Sequence, residues 1–211
     1  MSRLRTIKNA SDLIKNHPLI FKQEELLIKR KKINFYLEIG CGKGHFIVKQ
    51  ANNNHDNVYI GVDKSSTIIY KAIKKIEKQN LVLTNLHFIN CDIKKIVDIF
   101  KHKIFTKIFI NFCDPWPKKR HEKRRLTSLP FLLLYKKILR KKGLVEFKTD
   151  NDLLYSFTLN VLQKNKFKIV YFTDNLYKNL NNKFNRDNVS TEYEEKFIKK
   201  NKNINKIIWH Y

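Results

Sequence analysis

From Asn34 onward the chain alternates short apolar runs with segments of helical spacing, and this alternation restricts the fold more than any other feature. "NFYLEIG" (34–40), "NVYIGVD" (57–63), "LHFINCD" (86–92), "TKIFINF" (106–112) and "GLVEFKTD" (143–150) have the length and the β-branched or aromatic content of strands. Between them, "GHFIVKQA" (44–51), "SSTIIYKAIKKIEKQ" (65–79), "IKKIVDIF" (93–100) and "LTSLPFLLLYKKILR" (126–140) have helical spacing, and "NDLLYSFTLNVLQKN" (151–165) follows the fifth run. Strands separated by helices of this length imply parallel units with right-handed crossovers, hence an α/β fold with helices on both faces of a mostly parallel sheet. "FKIVYFTD" (167–174) and "INKIIWHY" (204–211) have only a polar loop and a short helical piece between them. They are expected as an antiparallel pair closing one edge, for seven strands in all. Residues 1–33 are polar and basic and read as an arm or short helix ahead of one domain over 34–211, a length that suits a single core.

Three of the chain's five glycines, Gly40, Gly42 and Gly44, fall within "LEIGCGKGHF", between the first strand and the first helix. In a chain so poor in glycine, this points to a backbone that turns tightly and lets a ligand come close. The dinucleotide fingerprint G-x-G-x-x-G would put its third glycine at position 45, which is His45. The observed G-x-G-x-G after Glu38 is instead the spacing of enzymes that use S-adenosyl-L-methionine (SAM). SAM lacks a pyrophosphate but carries a sulfonium and an amino group, and Glu38 would complement that charge. Asp63 ends the second strand, where an acid accepts hydrogen bonds from ribose hydroxyls, and Asp92 ends the third, within reach of an adenine amine. Each acid taken singly also fits a plain loop start; three at successive strand ends beside the glycine turn form a constellation.

"NFCDPWPKKRHEKRR" (111–125) follows the fourth strand. Pro115 and Pro117 fix their own φ angles and bias Asp114 and Trp116 toward extended backbone, a stiff platform for a carboxylate and an indole on the ligand-binding rim of the sheet. Adenine-N6 and cytosine-N4 methyltransferases carry an Asx-Pro-Pro-aromatic loop here, and "DPWP" uses the same ingredients with the aromatic moved forward, so a purine substrate is the natural expectation. The net charge of +25 needs a discount, because Lys outnumbers Arg 36 to 8 and Asn and Ile are abundant, as an A+T-rich genome dictates. Arginine placement says more: Arg120, Arg124 and Arg125 all lie in this stretch. Lys118, Lys119, Arg120, Lys123, Arg124 and Arg125, with His121 among them, read either as a solvated run or, being contiguous with Asp114, as a phosphate-facing handle for nucleic acid.

"EIGCGKG", "NFCDPWPKKRHEKRRL", "FKTDN" (147–151) and "STEYEEKF" (190–197), in this order and at these separations, resemble the bacterial tRNA (guanine-N7-)-methyltransferase family. The resemblance spans roughly Asn34 to Tyr211. It implies a Rossmann-like class I SAM-dependent methyltransferase fold, SAM as cofactor, and methylation of a guanine in the tRNA variable loop. It implies further that Glu38, the glycine turn, Asp63, Asp92 and Asp114 line the SAM pocket, that Asp114 is catalytic, and that Lys118, Asp150 and Thr191, Glu192, Tyr193 and Glu194 serve the tRNA or its guanine. Asp63 stands where Glu is common in that family, which shortens reach and keeps charge. Thr191 and Glu194 also have the spacing of a capping box, and Asp150 and Asp152 the placement of helix N-terminal acids.

Guanine N7 has a free lone pair and no proton, so attack there needs no general base at N7. What remains is in-line alignment and control of the charge that moves onto the purine. Asp114 is therefore expected to accept from the guanine N1–H and N2 amine and to balance the methylated ring, with Asp150 sharing the first role; Trp116 either stacks on a base or packs under the loop. The competing functions are an RNA adenine-N6 methyltransferase, a tRNA-binding subunit without catalysis and, least of all, a nicotinamide-dependent reductase. Cys41, Cys91 and Cys113 have no paired spacing, Cys41 and Cys113 reading as small fillers, and the seven His show no ligand pattern, so neither disulfide nor metal is expected and a reducing cytoplasm is. No run approaches a membrane span. A monomer or a homodimer is expected.

Overall fold

A computed structural model of the chain describes residues 6–22 and 33–211. Part of the expected N-terminal arm, residues 1–5 and 23–32, lies outside the described residues. Seven strands form one sheet in the order β3-β2-β1-β4-β5-β7-β6: β1 Phe35–Ile39, β2 Val58–Asp63, β3 Leu86–Asn90, β4 Phe105–Asn111, β5 Leu139–Thr149, β6 Lys168–Thr173 and β7 Asn205–His210. The helices are α1 Ala10–Ile14, α2 His45–Asn53, α3 Ser66–Lys78, α4 Ile96–Ile99, α5 Leu129–Ile138, α6 Asp152–Lys164 and α7 Glu192–Ile198.

β1 to β5 pair in parallel. β7 is antiparallel to both β5 and β6. The last two strands thus form the expected antiparallel pair, with β7 inserted between β5 and β6, and β6 runs in the same direction as β1 to β5. One face of the sheet packs Leu37, Ile60, Ile108, Ile110, Phe147 and Trp209 against α4, α5 and α6. The other packs Tyr59, Leu86 and Phe88 against α1, α2 and α3 through Ile14, Ile47, Ala51, Ile69, Ala72 and Ile73. Helices on both faces follow from the near-continuous apolar runs of the central strands, which leave neither side polar.

The described part of the N-terminal segment joins this second layer. Ile14 is buried, and Ile20 bridges to Phe88 through Phe21 N–H to Phe88 O at 3.0 Å and Phe88 N–H to Leu19 O at 2.6 Å. These bonds cover the outer edge of β3, which would otherwise present unpaired backbone.

Two local differences have physical causes. The helix expected over 126–140 begins only at Leu129, with Pro130 in its first turn, and ends at Ile138. The chain then enters β5 at Leu139 through an excursion at Arg140–Gly143, where Lys142 has φ 66° and the pairing with β4 jumps from Leu139 to Leu144. A side chain at Gly143 would sit 2.7 Å from Leu139 Cγ, so the tight excursion needs the glycine.

Candidate active site

The glycine turn adopts left-handed backbone at all three glycines, with φ of 70°, 56° and 74° at Gly40, Gly42 and Gly44. At Gly44 space is restricted as well, since a Cβ would lie 3.1 Å from the Phe88 ring and 3.4 Å from Ala72. The turn hangs from β2: Gly40 and Cys41 N–H donate to Val62 O, and Gly42 N–H donates to Asp63 Oδ2 at 3.2 Å. Asp63 Oδ1 accepts from Ser65 N–H at 2.9 Å. Asp63 therefore fastens the turn to the start of α3 and keeps a partly open carboxylate on the rim. Asp92 is exposed and caps the 3-10 turn after β3 by accepting from Lys94 N–H. Gly61, which sequence reasoning passed over, leaves room for Cys41, whose Sγ would be 2.9 Å from a Cβ there.

Glu38 is 3% exposed. Asn111 Nδ2 donates to Glu38 Oε1 at 2.9 Å, while Glu38 Oε2 and Asn111 Oδ1 are buried without hydrogen-bond partners. Burial raises the Glu38 carboxyl to about 8, against the lowering pull of Asn111 and Lys148. Two adjacent orphan acceptors, one of them a proton-holding carboxyl, suit a ligand that brings N–H donors and positive charge. These are the features of SAM, so the residues present fit that cofactor. Asn111 was not singled out from sequence; its signal is its place at the end of β4, beside β1.

The Asp114 loop is stiffer than its prolines alone require. Phe112 has φ 49° and Trp116 φ 41°, both in the left-handed region where a bulky side chain is strained. Trp116 is therefore not in the expected extended backbone, because its carbonyl is drawn to Arg125. Phe112 is held by its N–H to Lys148 O at 2.9 Å and by stacking on Tyr193 and Phe197, centroids 6.2 and 6.0 Å away. Arg125, expected among the RNA-facing cations, turns inward instead, donating to Pro115 O at 3.0 Å and Trp116 O at 3.1 Å and lying 4.3 Å over the Phe157 ring. Arg124 lies over the Trp116 indole, which also meets His121 edge-on. Asp114, Lys118, Lys119, Arg120 and Lys123 are exposed, and none of their side chains has a hydrogen bond or ion pair among the described residues.

Between the far half of the sheet and residues 174–204 lies a buried charge network. Lys148 and Glu194 are both fully buried and paired at 2.7 Å. Glu146 bridges Lys107 and Lys206. Burial alone would raise its carboxyl, but Lys107, Lys206 and Lys148 overcome that and hold it at about 2. The capping box at Thr191 and Glu194 is formed on both sides, and Glu194 also accepts from Tyr177 and Asn188. Glu194 is thus satisfied within the fold; Tyr193 is 51% exposed and Glu192 half-buried, and these two face outward. Asp150 pairs loosely with Lys202 at 3.6 Å, and Asn151 rather than either aspartate caps α6. A cavity of about 210 Å³ between α2 and α3 lies elsewhere, with none of the four rim acids in its walls.

A family model described as putative methyltransferase matches residues 32–207. The tRNA (guanine-N(7)-)-methyltransferase of Mycoplasma genitalium is 43% identical over 208 residues, covering 98% of this chain and 97% of that protein. The enzyme of the same name from Metamycoplasma hominis is 46% identical over 209 residues, covering 99% of both. Among solved structures, an antibiotic-related methyltransferase superposes with a TM-score of 0.66 over 90% of this chain and 95% of its own, at 19% identity, a likeness of fold. With the glycine turn, the rim acids and the Asp114 loop assembled at one end of the sheet, these relatives place the chain in the tRNA (guanine-N7-)-methyltransferase family.

Proposed function

We propose that the protein methylates N7 of a guanine in the variable loop of tRNA, with S-adenosyl-L-methionine as methyl donor. The activity follows from family membership, and the observation that carries the site assignment is the buried pair of orphan acceptors, Glu38 Oε2 and Asn111 Oδ1, at the foot of the glycine turn. When bound, SAM supplies an electrophilic methyl group on a sulfonium. Glu38 and Asn111 would receive its amino group, Asp63 the ribose, and Asp92 the adenine edge.

Asp114 stands exposed at the tip of a strained loop, free of internal partners, as an acceptor for the guanine N1–H and N2 amine must. It removes no proton from N7, which has none; it orients the base and balances the positive charge that the ring gains. The carboxylate of Asp150, held only loosely by Lys202, adds a second acceptor. Lys118, Lys119, Arg120 and Lys123 present their charge outward along the 3-10 turn after the loop and would hold phosphates while the guanine leaves its stack, a step costing about a few kcal/mol. Arg124 and Trp116 stack on each other, so the indole is a wall of the loop.

The test is incubation with methyl-labelled SAM and unmodified tRNA, followed by chemical cleavage at N7-methylguanine and mapping of the cleaved position. Cleavage confined to the variable loop is expected. Label on an exocyclic amine, or cleavage elsewhere in the tRNA, would overturn the assignment.

A further inference from the structure

Lys148 occupies a joint that the reaction chemistry does not explain. Its neighbours on β5 alternate between the two faces of the sheet, and its own position faces residues 174–204 rather than solvent. The ammonium has three hydrogen-bond partners and no exposure: Glu194 Oε2 at 2.7 Å, Val189 O at 3.0 Å and Asn188 Oδ1 at 3.1 Å. Its three protons are thereby matched to three acceptors, all within the segment 188–194 that ends in Thr191–Glu194. The backbone carbonyl of the same residue accepts from Phe112 N–H, two residues before Asp114. Phe112 in turn stacks on Tyr193. One lysine therefore ties the Asp114 loop through its main chain and the 188–194 segment through its side chain, and its charge is also felt at Glu38.

We infer that Lys148 is a positioning residue, setting the separation between the Asp114 loop and the Thr191–Glu194 segment across which the guanine is held. The inference rests on the function proposed above only for where the guanine sits. A buried ion pair is poor support for stability alone, since an apolar pair of similar volume usually serves as well, whereas the geometry it imposes on its donors is lost with it. A displacement of about 1 Å between reacting groups is enough to cost on the order of a hundredfold in rate.

Lys148→Met strands a buried carboxylate and lowers the melting temperature, so it is paired with Lys148→Met/Glu194→Gln, which removes both charges yet keeps the glutamine-compatible capping box. In the double variant the melting temperature recovers, SAM affinity by calorimetry stays within about threefold, and kcat for tRNA methylation falls roughly a hundredfold. Backbone hydrogen exchange over 188–198, measured without RNA, rises roughly tenfold or more. Recovery of kcat together with the melting temperature would make Lys148 merely structural and overturn the inference, as would unchanged exchange. If the double variant does not fold, Glu194→Gln alone decides by the same kcat and exchange readouts. Absence of N7 methylation in the wild-type protein defeats the proposed function and leaves the exchange result to judge Lys148.

Discussion

Arg125 and Trp116 are joined by two hydrogen bonds to one carbonyl, from Nε at 3.3 Å and Nη2 at 3.1 Å, while the same guanidinium donates to Pro115. The last residue of a basic run is thereby the clamp of the loop before it. Lysine has neither the fork nor the flat face for this, so Arg125→Lys is expected to act as a loss rather than a conservative change. It should destabilise by about 1–2 kcal/mol and lower kcat while leaving the salt dependence of tRNA binding as it was. Lys119→Ala and Lys123→Ala should do the opposite, each reducing the slope of log K against log salt by about 1. Filter binding across a salt series distinguishes the two kinds of residue.

Glu38 titrates at about 8 in the free protein, because burial disfavours its charge. At pH 7 it is then roughly nine-tenths protonated, and a cationic ligand beside it favours the ionised form, so SAM binding should release close to one proton. Affinity accordingly rises with pH by up to about tenfold per unit below pH 8 and flattens above it. Calorimetry in buffers of different ionisation enthalpy measures the release. Glu38→Gln should abolish both the buffer dependence and the pH dependence; persistence of either would assign the proton to another group.

Asp114→Asn retains an acceptor oxygen but loses the counter-charge and introduces a donor facing the guanine N1–H. A fall in single-turnover rate of about 10²–10³ is expected, with SAM and tRNA dissociation constants changed only a few-fold. Rapid-quench methylation at saturating tRNA reads the difference, and a rate within tenfold of wild type would remove Asp114 from the reaction.

Gly44→Ala places a Cβ 3.1 Å from Phe88 at φ 74°. The left-handed backbone costs about 1–2 kcal/mol and the contact adds to it. For a chain of this size, melting should drop by roughly 4–8 °C. Thermal denaturation with and without SAM checks this, and the ligand-induced stabilisation should shrink as well.

The alternation of strands and helices and the glycine turn were legible because both are periodic or compositional signals, and the placement of Glu38, Asp63 and Asp92 around that turn was legible from their positions at or near strand ends. Asp114 was legible for the same reason. What escaped was side-chain direction. A run such as "KKRHEKRR" does not tell which cation turns back on the loop, and Arg125 does so because the carbonyls of Pro115 and Trp116 point at it. Lys148 and Lys206 belong to a residue type that is mostly exposed; the 188–194 segment covers the first, and the place of β7 between β5 and β6 puts the second inside. The capping box at Thr191 was readable from spacing; that its glutamate is also the partner of a lysine 46 residues earlier was not.

The position of β7 also bears on how the protein is made. β6 pairs with β7 alone, and β7 follows it in the chain, so β6 leaves the ribosome before the strand that will hold it in the sheet. Until β7 inserts, Lys206 cannot reach Glu146. Nascent chains that have completed the parallel half would therefore possess the glycine turn and the Asp114 loop before the 188–194 segment can pack beside them.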